Sequence, residues 1–179
     1  MPVSGSNLIQ GPATLYIAPF GTAEPATVAT VPAAGWVDVG GTKDGVELGV
    51  ADSYQALTVD QIIYDIESRR TERQVTVKTS MAEATLDNLA IAIANTAPAA
   101  GVLTADDGLG AFAPAYRAAL IDGIAPGGFR RRIIVRKVLS TDNVAMAYKK
   151  DGQTLIPVTF KGHWVSASIR QFVITDATS

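Results

Sequence analysis

TERQVTVKTSMAEATLDNLAIAIAN, residues Thr71–Asn95, changes its hydrophobic period halfway along. Arg73, Val75, Val77 and Thr79 alternate with Glu72, Gln74, Thr76 and Lys78, the pattern of a half-buried strand. From Met81 the period becomes helical: Ala82, Leu86, Leu89, Ala90 and Ile93 form one stripe, with Glu83, Asp87 and Asn88 largely off it. Ser80 followed by Glu83 fits a capping box, and Asn95 then Pro98 mark the end. The reading is one strand feeding one capped amphipathic helix over about residues 81–95, roughly four turns long. No other stretch reads as a helix with comparable strength.

The remainder reads as short strands and loops. Residues 1–12 form a flexible arm gripping only through Leu8 and Ile9. Ala13–Pro19 is a strand, Phe20–Gly35 a Gly/Pro/Ala/Thr loop, and Trp36–Val39 a short strand stopped by Gly40-Gly41. Lys43–Val50 alternates, with Val46, Leu48 and Val50 on one face. Ala51–Arg70 continues as a strand or opens into a long hairpin at about 52–70. Ile62, Ile63, Tyr64 and Ile66 make it apolar on both faces. Such a segment needs cover on both sides, from its own loops or from another chain. After the helix, strands are expected at Ala115–Asp122, Phe129–Ser140, Val144–Lys149, Thr154–Trp164 and Ile169–Thr175. Asp151-Gly152 reads as a hairpin turn between two of them. Trp36, Phe160, Trp164 and Phe172 sit in alternating patterns and are expected to face the core. The expected architecture is mainly β, an antiparallel sandwich or barrel with one flanking helix. It spans 13–176 as one domain, with a short tail at 177–179.

Composition narrows the chemistry. The chain has 179 residues, 47% of them hydrophobic, enough for a real core. A net charge of −2 gives no electrostatic footprint for tight nucleic-acid binding. Cysteine is absent, so disulfide and thiol chemistry are excluded. No signal-like start and no apolar run of membrane-spanning length is present, and a soluble protein is expected. The single histidine, His163, reads as a surface residue beside Thr159 and Lys161. No Ser stands in a nucleophile elbow, so no enzyme is expected. Asp106-Asp107-Gly108 lacks the spacing of a calcium loop. No phosphate-binding glycine motif occurs, and neither metal nor cofactor is expected. The basic run Arg130-Arg131-Arg132, with Arg136 and Lys137, alternates sides along a strand. It reads as a solvated strand end or as inter-subunit ion pairs rather than a DNA patch. Asp65 with Glu67 is a carboxylate pair that nothing singles out as acid and base.

In order, the chain carries an N-terminal arm, W-x-D-V-G at Trp36–Gly40, T-x-D-G-V-E-L at Thr42–Leu48 and T-V-D-Q at Thr58–Gln61. M-A-E-A-T-L-x-N-L at Met81–Leu89 and D-G-Q-T-x-I-P-V-T-F at Asp151–Phe160 follow. This order resembles the major tail tube proteins of long, non-contractile (siphovirus-type) phage tails, over roughly Trp36 to Ile174. The resemblance implies a β-sandwich with one helix that forms hexameric rings stacked into a tube for DNA delivery. It implies localisation in the virion tail after synthesis in the host cytoplasm. Itself, the tape measure protein and the tail-tip and terminator proteins would be its partners. DNA would be met only in passage, and no membrane bound. Subunit and inter-ring contacts would fall to Leu8 and Ile9 of the arm and to Tyr54, Leu57, Ile62, Ile63 and Tyr64 of the long segment. A lumen that must not hold phosphate is expected to be neutral or acidic, with Glu47, Asp60 and Asp65 nearer to it than the arginines. Two other readings are another virion β-protein, tail-completing or capsid-decorating, and a carbohydrate- or receptor-binding sandwich.

Overall fold

A computed structural model describes residues 4–105 and 114–177. The elements are β1 (Thr14–Pro19), β2 (Val37–Asp38), β3 (Thr42–Val59), β4 (Ile62–Met81), α1 (Leu86–Ala92), β5 (Arg117–Ile124), β6 (Arg130–Ser140), β7 (Ile156–Gly162) and β8 (Phe172–Asp176). Their pairing is antiparallel throughout. The order is β2-β1-β5-β6-β7-β4-β3, with β8 also on β6. The mainly-β expectation with one α-helix is met.

β6 organises the sheet. β5 takes one of its edges, while β8 (opposite Arg131–Val135) and β7 (opposite Val138–Ser140) share the other. The sheet therefore divides along β6 and curls on itself. Leu15 and Ile17 of β1 reach the same buried cluster as Val75 and Val77 of β4 and Val158 and Phe160 of β7, although β5, β6 and β7 separate β1 from β4. The alternation read at Val75, Val77, Thr79 and at Ile156, Val158, Phe160 is the inward face of this curl. A second cluster, Ala18, Trp36, Ala118, Leu120 and Ile134, lies on the outer face of β1, β5 and β6. The loop between β1 and β2 covers it, and Trp36 Nε1 donates to the Ala23 carbonyl at 2.9 Å. Strands covered on both faces are apolar on both faces, which is why β5 is buried almost without a break.

The helix is shorter than its pattern, two turns rather than four. Ser80 and Met81 remain in the ladder, paired with Pro157 and Ile156 of β7, so no capping box forms at Ser80. Thr85 is the cap, its Oγ1 accepting from Asn88 N at 3.2 Å. Glu83 serves elsewhere, its Oε1 accepting from the Gly41 N–H at 2.9 Å. Ala94 takes a left-handed φ of 54° and ends the helix just after Ile93. The buried face is Asn88, Ile91 and Ala92 with Ala90, while Leu86 and Ile93 are exposed. Asn88, placed off the stripe by the pattern, is a core residue: its Nδ2 donates to the carbonyls of Val39 and Glu83, both at 2.8 Å. A single buried amide thus ties α1 to the strand end preceding it.

Two other expectations fail. Val144–Lys149 is not a strand; only an isolated bridge joins Lys149 to Gly152 across Asp151. β7 is bonded by β4 along one edge, and by β6 on the other only at Phe160–Gly162. Val144 and Met146 still pack on the core from a loop. Beyond Gly162 the chain leaves the sheet, and Trp164 is 73% exposed rather than in the core. Phe160 is buried as expected, and Phe172 is partly buried. Asp106-Asp107-Gly108 and the first three residues of the arm lie outside the described residues.

Candidate functional site

β3 and β4 are the longest strands, 18 and 20 residues. β7 accompanies β4 only over Thr76–Met81. Past Val50 and Val75 the two strands carry each other and nothing else. At ~3.4 Å per residue the free hairpin projects about 30 Å from the body. Its turn is Asp60-Gln61, with Val59 opposite Ile62. The ambiguous segment is therefore an extended hairpin, and its apolar residues lack intrachain cover. Ile63 is 99% exposed, Tyr64 80% and Tyr54 61%, and Leu57, Ile62 and Ile66 are exposed as well. A soluble monomer rarely leaves so many large apolar side chains together in water.

The hairpin leaves the body through a stiffened joint. Arg73 donates from Nε and Nη2 to the two oxygens of Asp52, both at 2.6 Å. Arg70 Nη1 donates to the same carboxylate at 3.4 Å, and the Tyr54 hydroxyl donates to it at 3.2 Å. The hydrogen bonds from the Arg73 guanidinium hold the Asp52 carboxyl well below the usual carboxylate range. A register shift lies next to it, between Ser53 and Tyr54, where Thr71 Oγ1 donates to the Ser53 carbonyl at 3.2 Å. A bulge bends and twists a ribbon, so the Asp52 cluster sits where the hairpin's direction is set. Nothing in the sequence announced this joint, because Asp52 faces Arg73 only in a register that the bulges decide.

The other expected contact residues lie elsewhere. Leu8 and Ile9 are exposed, and the arm runs beside the β5–β6 turn, lining a cavity with Ile124, Ala125 and Gly127. Of the acidic residues, Glu47 stands on the sheet body opposite Lys78, whereas Asp60 is in the hairpin turn and Asp65 near it. The fold does not bring the three together.

The basic cluster is consumed within the chain. Arg130 Nε and Arg132 Nη2 both donate to Asp122, at 2.8 Å each, and Arg131 forms a two-bond pair with Asp176 at 2.7 Å. Arg136 pairs with Glu24, and the Lys137 ammonium lies 4.2 Å from the centroid of the Tyr116 ring. Arg132 also donates to the carbonyls of Thr27 and Thr30 at 2.8 Å. Arg132 and Arg136 thus clamp the β1–β2 loop onto the sheet. His163 is not a free surface residue: its ring meets Tyr116 edge-on at 5.3 Å, and its Nε2 is buried without a partner. Burial, then the charges of Lys137 and Lys161, push its pKa down.

Among the described residues no group of three or more His, Cys, Asp or Glu side chains could hold a metal, and no helix is long and apolar enough to cross a membrane. A curled β domain whose charged clusters are spent on internal clamps, and whose largest exposed feature is an apolar hairpin, defines a structural building block. The sequence model of the phage tail tube protein family matches residues 4–178, and the chain belongs to that family. Its role is accordingly structural, in the tail of a bacteriophage virion, in a family that is not one of enzymes. No curated protein matches the chain.

Proposed function

We propose that this chain self-assembles into hexameric rings that stack as the tail tube of a siphovirus-type phage and conduct DNA to the host. The observation that carries the reading is the free β3–β4 hairpin, with Tyr54, Leu57, Ile62, Ile63 and Tyr64 exposed together. Burying an Ile, Leu or Tyr-sized side chain stabilises an interface by roughly 1.5–3 kcal/mol before ordering costs, so this hairpin is a strong candidate for the inter-ring contact. Leu8 and Ile9 of the arm would add to it. The long outer edge of β3, which no strand among the described residues covers, suits pairing with a neighbouring subunit.

The internal pairing of Arg130, Arg131, Arg132 and Arg136 favours a tube that lets DNA slide, since these four guanidinium groups are already held by carboxylates of the same chain. Glu47, on the sheet body, is the carboxylate best placed for a lumen. Asp60 and Asp65, at the hairpin tip, would lie closer to a neighbouring ring. Tape measure, tail-tip and terminator proteins complete the set of partners under this reading. The protein would be made in the host cytoplasm before it joins the virion.

The test is negative-stain microscopy of the purified protein over a concentration series, with the solution mass alongside. Rings and hollow tubes are expected. A protein that stays monomeric at every concentration, and also when mixed with tail-tip complexes, would overturn the reading.

A further inference from the structure

The projecting hairpin leaves Ile63 and Tyr64 at its tip without cover from their own chain. On the outer face of the sheet, Phe20, Trp36, Ala118, Ile134, Val165 and Ile169 line a largely apolar cavity of about 410 Å³. We propose that this cavity takes the hairpin tip, Ile62–Tyr64, of a second copy. The inference rests on the self-assembly reading and names the surface that completes the contact.

Three observations support it. The tip does not fill the cavity of its own chain: Ile63 is 99% exposed, so it meets almost nothing of its own subunit. The charges are complementary. From Val59 to Ser68 the tip carries Asp60, Asp65 and Glu67 and no cation. Arg136 lines the cavity, paired with Glu24, and the Lys137 ammonium lies 5.3 Å from the centroid of the Phe20 ring that forms one wall. The chemistry of the lining is also complementary. The cavity lined by Lys43, Asp44, Glu47, Lys78 and Asp142 would surround an inserted Ile with charge, whereas the charged lining of this one is the mutually paired Arg136 and Glu24, and the rest is mostly aromatic and aliphatic.

A knob on one face and a hole on another make a heterologous contact. Such contacts do not close a pair; each copy presents a new knob to the next, and the array grows along its axis. The geometry thus supplies open-ended growth from one repeated contact.

The absence of cysteine makes the test clean. Ile63→Cys and Ile169→Cys are introduced together, the protein is assembled and mildly oxidised, and the products are run without reductant. A ladder of covalent multimers that collapses on reduction is expected, while Ile63→Cys with Lys78→Cys stays monomeric. As a second arm, Ile169→Asp places a carboxylate against the acidic tip at an exposed position. It should leave the melting temperature in place and raise the concentration needed for tube growth at least about tenfold. Tubes that form without a ladder from the first pair would overturn the proposal and leave the tail tube reading intact. A ladder from the Lys78 pair, or normal growth of Ile169→Asp, would also overturn it. If the unaltered chain never assembles, alone or with tail-tip complexes, the parent reading falls and takes this contact with it.

Discussion

Removing the Asp122 carboxylate would strand a buried cation. Asp122 and Arg132 are 4% and 3% exposed at the side chain, and their oxygen and nitrogen lie 2.8 Å apart. Asp122 also binds the half-exposed Arg130 at 2.6 Å. Breaking a buried pair by deleting one partner typically costs about 3–5 kcal/mol, because the remaining charge stays out of water. In Asp122→Ala, Arg132 keeps the carbonyls of Thr27 and Thr30 but its Nε is already without a partner. Those two acceptors place the loss at the low end, about 3 kcal/mol, or on the order of a hundredfold in the folding equilibrium. For a domain of this size that is a fall of roughly 6–12 °C in melting temperature. The assay is urea unfolding of the unassembled subunit, followed by tryptophan fluorescence. Trp36 is bonded to the loop that Arg132 clamps, so it reports the site directly. The midpoint should fall with little change in slope. Asp122→Leu with Arg132→Met should recover most of the loss, since the apolar pair leaves no buried charge, Arg130 loses its partner at a side chain 39% exposed to water, and the Thr27 and Thr30 residues stand at the surface. A loss below about 1 kcal/mol for Asp122→Ala, or a double variant no better than the single one, would refute the clamp as described.

Four more outcomes are expected. Gly40 has a φ of 78°, and a Cβ there would meet the Glu83 carboxylate that holds Gly41, so Gly40→Ala should cost about 1–2 kcal/mol in the same unfolding assay. The folded pKa of His163 lies below its unfolded value of 6.5, so the unfolded chain binds the proton first; stability is fully present above pH 6.5 and falls as pH drops through the folded pKa. Melting curves between pH 5 and 7.5 should show this slope, and His163→Phe should flatten it. Asp52→Asn, at an exposed joint, should leave the melting temperature nearly unchanged, while hydrogen exchange speeds up over Val50–Val75 if the Arg73 and Arg70 bonds set the hairpin's direction. Ile63→Ser with Tyr64→Ser should leave the unassembled subunit as stable as before, because neither side chain has intrachain cover, and should suppress tube growth seen by microscopy.

Much of this fold is local enough to be written in the chain. Period-2 alternation at Val75–Thr79 and Ile156–Phe160 fixes which side chains face inward, because adjacent residues of a strand must point to opposite sides. The change of period after Met81 places the one helix, and two-sided apolarity at Ile62–Ile66 marks a segment that needs cover from outside. The family resemblance, too, is carried by linear motifs. What the chain could not display is whatever depends on which strand lies beside which. Val144–Lys149 has the alternation of a strand and is a loop, its Val144 and Met146 packed on the core without a ladder. Ser80 has the look of a cap and stays in a ladder, because β7 holds it there. Asn88 looks like a surface amide and is buried, because the strand end before β3 offers it a carbonyl. The arginine run reads as a solvated strand end or as inter-subunit ion pairs and is instead paired within the chain, by Asp122 on the adjacent strand and by Asp176 and Glu24 from far along the chain. Periodicity is a property of neighbours in sequence, so the sequence alone determined most of the elements and the inward faces of the strands around Val75–Thr79 and Ile156–Phe160. Partner supply and charge pairing are properties of neighbours in space, and only the tertiary structure decided them.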